Sequence, residues 1–185
     1  MHRLFVAIRP PRAMRERLLA LEGGIAGARW QSDDQLHITL RFIGEVDRHR
    51  AADILAALGS VHAAAFEVRI AGLGSFEHKG RVDTIWAGLS PADPLKALAQ
   101  KVDTALARVG VPRETRAYLP HVTLARLPRG AGPVQTMLAS RAGAEGGPFA
   151  IDSFGLFESE LTPEGSIYSV VERFPLAGGA ATSWR

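Results

Sequence analysis

The sequence contains no cysteine, only three lysines and no long apolar run. The absence of cysteine excludes disulfides, thiolate nucleophiles and Cys-ligated zinc. No apolar run approaches the roughly 18 residues needed to span a membrane. The apolar stretch Leu4–Ile8 is short and has no small-residue cleavage site after it, so it does not predict a signal peptide. We therefore expect a cytoplasmic protein without membrane contact.

The basic residues are almost all arginine, since Lys79, Lys96 and Lys101 are the only lysines, and the net charge is +3. A guanidinium group can bind two phosphate oxygens at once, which suits phosphate binding. Genome composition explains the same bias equally well. With 185 residues, of which 46% are hydrophobic and 22% charged, the chain is long enough for one globular unit with a sizeable core.

One four-residue pattern occurs twice, as 37–40 (HITL) and 121–124 (HVTL). Each copy lies in a run of alternating apolar and polar residues, which predicts a β-strand with its His and Thr on the same face. Six His and eight Thr in 185 residues give only about 0.26 chance occurrences of His-x-Thr. We interpret the repetition as two matching His/Thr pairs that carry chemistry, rather than as ordinary strand residues.

The rest of the chain alternates between strand and helix patterns, broken by Gly and Pro. The predicted strands are Arg3–Arg9, the two motif runs, Phe66–Ala71, Val82–Leu89, Phe149–Glu158 and Ser166–Phe174, and the predicted helices are Met14–Leu21, Arg48–Leu58, Leu95–Val109 and Val134–Ser140. The Gly-flanked segment Gly72–Gly80 is interpreted as a loop at the rim of a site, and 177–185 as a flexible tail.

Short turns join many of the predicted strands, which favours an α+β fold with antiparallel or mixed sheets over a doubly wound parallel sheet. The two motif copies lie 84 residues apart, close to half the chain length. We therefore expect residues 1–185 to form a single bilobal domain. Each of its two pseudo-symmetric lobes would supply one motif to a central cleft.

These motifs resemble those of the two-histidine phosphoesterases, and the flanking sequence is most similar to the RNA 2′,3′-cyclic phosphodiesterases, historically called 2′-5′ RNA ligases. The stretches that carry the resemblance are Arg3–Ile8, Leu36–Glu45, Gly72–Phe76, Trp86–Leu89 and Pro120–Arg126. The resemblance implies a bilobal α+β fold with a central cleft and no metal or other cofactor. It also implies an RNA substrate with a 2′,3′-cyclic phosphate end, such as a tRNA half, or a cyclic nucleotide.

The resemblance further implies that His37 is the proton donor and His121 the proton acceptor. Thr39, Thr123 and Arg126 would bind the phosphate. Strict alternation, however, places Arg126 on the face opposite His121, so the strand ends or bulges before it, or Arg126 has another role.

Two imidazoles suit this reaction, because opening a cyclic phosphate requires one group to remove a proton from water and another to supply one to the leaving oxygen. Alternatives remain: 2′-5′ RNA ligation as the main role, a different phosphodiester substrate, a non-catalytic RNA- or nucleotide-binding module, or a zinc site. The last is disfavoured because no metal-ligand spacing accompanies the two histidines. We expect a monomer.

Three further residues are candidate RNA contacts. Arg41 shares a face with His37 under strict alternation, with a surface ion pair as the other interpretation. Phe76 could stack on a base, and His78 lies beside Lys79 in the predicted rim loop. The other interpretations are a core aromatic for Phe76 and a solvated loop residue for His78.

Overall fold

The computed structural model describes residues 1–163 and 165–179. Within them the strands are β1 (His2–Ile8), β2 (Arg29–Trp30), β3 (Ile38–Val46), β4 (Phe66–His78), β5 (Arg81–Ser90), β6 (His121–Arg126), β7 (Glu145–Ile151), β8 (Ser153–Thr162) and β9 (Gly165–Pro175). The α-helices are α1 (Arg12–Leu19), α2 (Arg48–Gly59), α3 (Asp93–Arg108) and α4 (Gln135–Arg141), and a 3-10 turn, Asp33–Gln35, precedes β3.

The strands form one sheet in the order β7-β4-β5-β6-β3-β1-β8-β9, and the two-residue β2 pairs with the end of β6. Every pairing between these named strands is antiparallel. The predicted α+β class is confirmed. The sheet consists of two four-stranded halves that meet where the motif strands β6 and β3 lie side by side.

Alternate residues of β1 pack in two different hydrophobic clusters, one on each face of the sheet. Leu4, Val6 and Ile8 are buried in the main core together with residues of all four helices, whereas Phe5 and Ala7 belong to a small separate cluster on the other face. Successive strand residues point to opposite faces, so one face carries the helices and the other is left to form a cleft.

The helix α3 shows why the helical face is stable. Leu95, Leu98, Val102 and Leu106 recur at helical spacing and are all buried. Burial of such side chains stabilises a fold by roughly 1.5–3 kcal/mol each. The helix predicted for Leu95–Val109 is confirmed within two residues at each end, since α3 spans Asp93–Arg108.

The segment Gly72–Gly80 is not a loop, so that prediction is wrong. β4 continues to His78, and only Lys79 and Gly80 turn the chain into β5. Gly74 allows close packing inside the hairpin, since a Cβ there would come within 2.3 Å of the Trp86 ring. Glycine here marks a close approach between strands rather than a break in the strand.

The segment expected to be a flexible tail, 177–185, is only partly described. Ala177 donates a hydrogen bond to the carbonyl of Ala63 and accepts one from the amide of Ala65, at 2.9 Å in each case. Its start is therefore held against the chain that leads into β4. Residues 180–185 lie outside the described residues.

Candidate active site

The two motifs meet at the centre of the sheet, where Ile38 of β3 lies opposite Val122 of β6. Both side chains are fully buried on the helical face. The residues on either side of this pair therefore point into the cleft on the other face. The pairing brings both His/Thr pairs, His37 with Thr39 and His121 with Thr123, to the same open face of the sheet.

The cleft has a volume of about 810 Å³. Both His/Thr pairs and Arg126 line it. The other lining residues come from β1, β2 and the residue after it, β3, the 3-10 turn and the β8-β9 hairpin. They are Arg3, Leu4, Phe5, Arg29, Trp30, Gln31, Gln35, Phe42, Gly44, Ser159, Pro163, Gly165, Ser166 and Tyr168.

The two imidazoles are held in the same way. Nδ1 of His37 lies 2.6 Å from the carbonyl oxygen of Gln35, and Nδ1 of His121 lies 2.7 Å from that of Leu119. A carbonyl oxygen only accepts, so Nδ1 of each ring donates and carries a proton. Nε2 is then the nitrogen available in each neutral ring to accept a proton, and in each charged ring to donate one.

Aromatic rings fix the orientation of both imidazoles. The rings of Phe5 and Tyr168 lie 5.2 and 5.1 Å from the ring of His37, measured between centroids. The rings of Phe76 and Trp86 lie 5.0 and 6.0 Å from that of His121. Each imidazole is thus packed between two aromatic side chains, which also exclude water from part of its surface.

This packing changes the acid-base properties of both histidines. The pKa of His37 is lowered to about 4, chiefly by burial and to a smaller extent by the charges of Arg126 and His121, against the opposing effect of its hydrogen bond to Gln35. Burial also lowers the pKa of His121. Both imidazoles are therefore predominantly neutral at pH 7 in the unliganded site.

A β-bulge at the last residue of each motif changes which side chains reach the cleft. On β6, Thr123 pairs with Trp86 and Ala125 pairs with Ile85, so Leu124 is the extra residue. Leu124 and Ala125 are both buried as a result. The residue after them, Arg126, is thereby returned to the cleft face, which resolves the conflict that strict alternation predicted.

The same bulge occurs on β3. Thr39 pairs with Ala7 and Arg41 pairs with Val6, so Leu40 is the extra residue. Arg41 therefore points to the helical face, and the next residue, Phe42, points into the cleft, where it is 56% exposed. Phe42 thus occupies on β3 the position that Arg126 occupies on β6, five residues after the motif histidine.

The interpretation of Arg41 as an RNA contact is corrected by this bulge. Its Nε donates to a carboxylate oxygen of Asp103 at 3.0 Å, and its other nitrogens contact Glu114 and the carbonyl oxygens of Phe42 and Pro112. The side chains of Arg41 and Asp103 are only 11% and 16% exposed. Arg41 thus forms an ion pair, as in the alternative interpretation of this residue, and the pair links β3 to α3.

The structure also shows where the other candidate residues lie. Phe76 packs against His121 and Trp86. His78 is exposed at the tip of the β4-β5 hairpin and does not line the cleft. Arg126 donates to the hydroxyl of Thr84 at 2.9 Å and lies opposite Arg29 of β2. Sequence reasoning missed Arg29, Phe42 and Tyr168 as cleft residues; only the cross-strand register reveals them.

Neither a candidate metal cluster nor a membrane-spanning helix is present in the part of the chain that the structure describes. No group of three or more His, Cys, Asp or Glu side chains in that part of the chain is placed to hold a metal ion. No helix there is long and apolar enough to cross a membrane.

Comparison with known proteins adds independent findings. The model of the 2′-5′ RNA ligase superfamily matches residues 10–162. An RNA 2′,3′-cyclic phosphodiesterase of Aeropyrum pernix is 34% identical over 75% of this chain and 81% of its own, and that of Archaeoglobus fulgidus is 30% identical over 93% and 99%. The crystal structure of a Thermus thermophilus protein is similar with a TM-score of 0.76 and 28% identity, covering 96% of this chain and all of the other.

Proposed function

The chain belongs to the 2′-5′ RNA ligase superfamily and, within it, to the RNA 2′,3′-cyclic phosphodiesterase family, and from this membership we propose that it hydrolyses RNA 2′,3′-cyclic phosphate ends to 2′-phosphate ends. The single observation that carries the proposal is the arrangement of two imidazoles on one face of the sheet, each with Nδ1 bound to a carbonyl. Such a pair can remove one proton and supply another in the same site.

The proposed reaction proceeds by attack of water on phosphorus. His121 accepts a proton from the water at Nε2 as the new P–O bond forms. The bond from phosphorus to the 3′ oxygen breaks, and protonated His37 donates a proton from Nε2 to that oxygen. The products are a 2′-phosphomonoester and a free 3′ hydroxyl, and the two imidazoles exchange protonation states.

The main-chain hydrogen bonds hold both imidazole rings in the same way and so do not distinguish the acid from the base. The assignment of His37 as donor and His121 as acceptor therefore follows the resemblance to the family. With its pKa lowered to about 4, His37 is mostly neutral in the free protein. The anionic substrate supplies the negative charge that favours its protonated form. His121, whose pKa is also lowered, is ready to act as a base at neutral pH.

Three further groups would stabilise the charge that develops on the phosphate. The hydroxyls of Thr39 and Thr123 line the cleft beside the histidines, and the guanidinium of Arg126 approaches from the end of β6. Donors placed in advance around a phosphoryl group stabilise its transition state without reorganisation. No cofactor is required for this proton transfer.

The proposal is tested with a short RNA that ends in a 2′,3′-cyclic phosphate, incubated with the protein in EDTA and followed by ³¹P NMR. We expect a 2′-phosphate to appear. Formation of product only when a second RNA with a 5′ hydroxyl is present would show ligation instead. Binding of the RNA without turnover would contradict the proposal and favour a binding module, and strict loss of activity in EDTA would contradict the cofactor-independent mechanism.

A further inference from the structure

The end of the cleft formed by β2 and β6 carries two arginines directly opposite each other. In the antiparallel pair, Arg29 lies opposite Arg126, and both side chains are exposed and line the cleft. Directly opposed residues on one face have Cβ atoms about 4.5–5.5 Å apart, and like charges in such a pair destabilise a sheet. β2 is only two residues long, so it gains little pairing energy to offset this repulsion.

The described lining of the cleft supplies no negative charge beside these two groups. Among the cleft-lining residues that the structure describes there is no Asp or Glu. The Arg126 guanidinium donates to the neutral hydroxyl of Thr84, which in turn donates to a carboxylate oxygen of Asp83 at 2.9 Å, outside the cleft lining. Two adjacent guanidinium groups in a cleft whose described lining has no carboxylate raise the local concentration of anions and can attract more than one phosphate.

The opposite end of the cleft differs in chemistry, although the two halves of the sheet are arranged alike. There Phe42 takes the position equivalent to Arg126, and it lies opposite Phe5. The arginine at that end, Arg3, has Glu45 opposite it on β3. Two of the three arginines that line the cleft therefore lie together beside β2, on one side of the two histidines.

We propose that Arg29 forms a second phosphate subsite, which binds the phosphodiester on the 5′ side of the nucleotide that carries the cyclic phosphate. This inference rests on the proposed function, in which Arg126 holds the reacting phosphate. An RNA strand places its next phosphate one nucleoside away from the first, and Arg29 lies one strand away from Arg126. The subsite selects the ends of RNA chains over cyclic mononucleotides.

The test compares three substrates: a cytidine 2′,3′-cyclic monophosphate, a dinucleotide with the same cyclic end, and that dinucleotide with a neutral methylphosphonate in place of the internal phosphodiester. The variants are Arg29→Gln, Arg29→Lys and, as a matched control, Arg129→Gln. Arg129 is exposed, lies three residues beyond β6 and is not a cleft residue.

We expect Arg29→Gln to lower kcat/KM for the charged dinucleotide roughly tenfold, mainly through KM, because a charge-assisted contact remote from the reacting atoms is lost. Turnover of the mononucleotide and of the methylphosphonate should fall much less, by no more than about twofold from the loss of one cleft charge, which also shows that the variant is folded. Arg29→Lys should retain part of the preference, and Arg129→Gln all of it.

An equal loss on all three substrates would overturn the inference, since Arg29 would then act on the reacting phosphate. No loss on any of them would overturn it as well. If the parent protein hydrolyses none of the three, the proposed function fails, and this inference fails with it. That result is distinguishable from the failure of the second subsite alone, in which the parent protein remains active.

Discussion

Ile38 lies directly opposite Val122, and this pair is the point about which the two motifs are related. In an antiparallel pair the register runs in opposite directions, so His37 is placed across from Thr123 and Thr39 across from His121. The cleft face is thus assembled by a buried pair on the other face of the sheet. The spacing of the two imidazoles depends on a contact that neither of them makes.

Replacement of Ile38 by alanine should therefore destabilise the protein. Ile38 is fully buried, and removal of its side-chain carbons leaves a cavity that costs about 2–5 kcal/mol. The free energy of unfolding is measured by urea denaturation. Ile167→Ala is the matched control, since Ile167 is 55% exposed on β9, and it should change stability by no more than about 0.5 kcal/mol. Equal effects of the two substitutions would contradict the central position of Ile38.

The bulges predict opposite phenotypes for two arginines. Arg126→Gln should lower kcat/KM by roughly 10²–10³-fold, as loss of a transition-state donor does, with little change in melting temperature. Arg41→Gln should remove the charged donor that Asp103 meets at 3.0 Å, leaving it the exposed Arg113 as its ion-pair partner, and cost about 1–3 kcal/mol of stability. Thermal denaturation and kinetics on the same preparations separate the two effects. A greater catalytic loss in folded Arg41→Gln than in Arg126→Gln would contradict the assignment of faces.

The lowered pKa values predict an acidic optimum for kcat/KM. His37, as the acid, must be protonated, and its protonated fraction falls as the pH rises above about 4. His121, as the base, must be neutral, and that form is favoured as the pH rises through its lowered pKa. The profile should be bell-shaped with its maximum below about pH 6.5. The profile of kcat should be displaced to higher pH, because bound substrate favours protonation of His37. A kcat/KM maximum above about pH 8 would contradict these assignments.

The aromatic neighbours predict which substitution changes which pKa. Tyr168→Ala removes a ring packed on His37 and exposes the imidazole to water, so the pKa of His37 should rise from about 4 toward its ordinary value. NMR titration of the imidazole Cε1 protons measures this. Phe76→Ala is the reciprocal control and should raise the pKa of His121 instead. Equal shifts at both histidines in either variant would show that local burial is not the cause.

The sequence alone predicts the helices and strands whose residue pattern lies within a short stretch of the chain. The two motif strands and the amphipathic helix over Leu95–Val109 follow from periodicity alone, and the α+β class follows from the order of elements. Periodicity failed at Leu40, because Leu36, Ile38, Leu40 and Phe42 are all apolar and continue an unbroken alternation through the bulge. A bulge is defined by the pairing of two strands. That Phe42 rather than Arg41 points into the cleft therefore becomes visible only once β1 is paired with β3.

The position of Arg29 could not be predicted for the same reason. A two-residue strand has no periodicity, and its role depends on the end of β6, which comes much later in the chain. The prediction for Gly72–Gly80 was wrong for a different reason: three glycines give the segment the composition of a loop, but Gly74 lies in a strand where it leaves room for the Trp86 ring. Both cases depend on contacts between distant parts of the chain.

The most direct test of the account is to compare the parent protein with His37→Ala, His121→Ala and the control His62→Ala on an RNA with a 2′,3′-cyclic phosphate end, with products assigned by ³¹P NMR. His62 is exposed and lies away from the cleft. We predict a 2′-phosphate with the parent protein and with His62→Ala, and a loss of at least about 10²-fold in rate with either motif substitution. A folded variant lacking one motif histidine that turns over RNA at the parent rate would contradict the two-histidine mechanism.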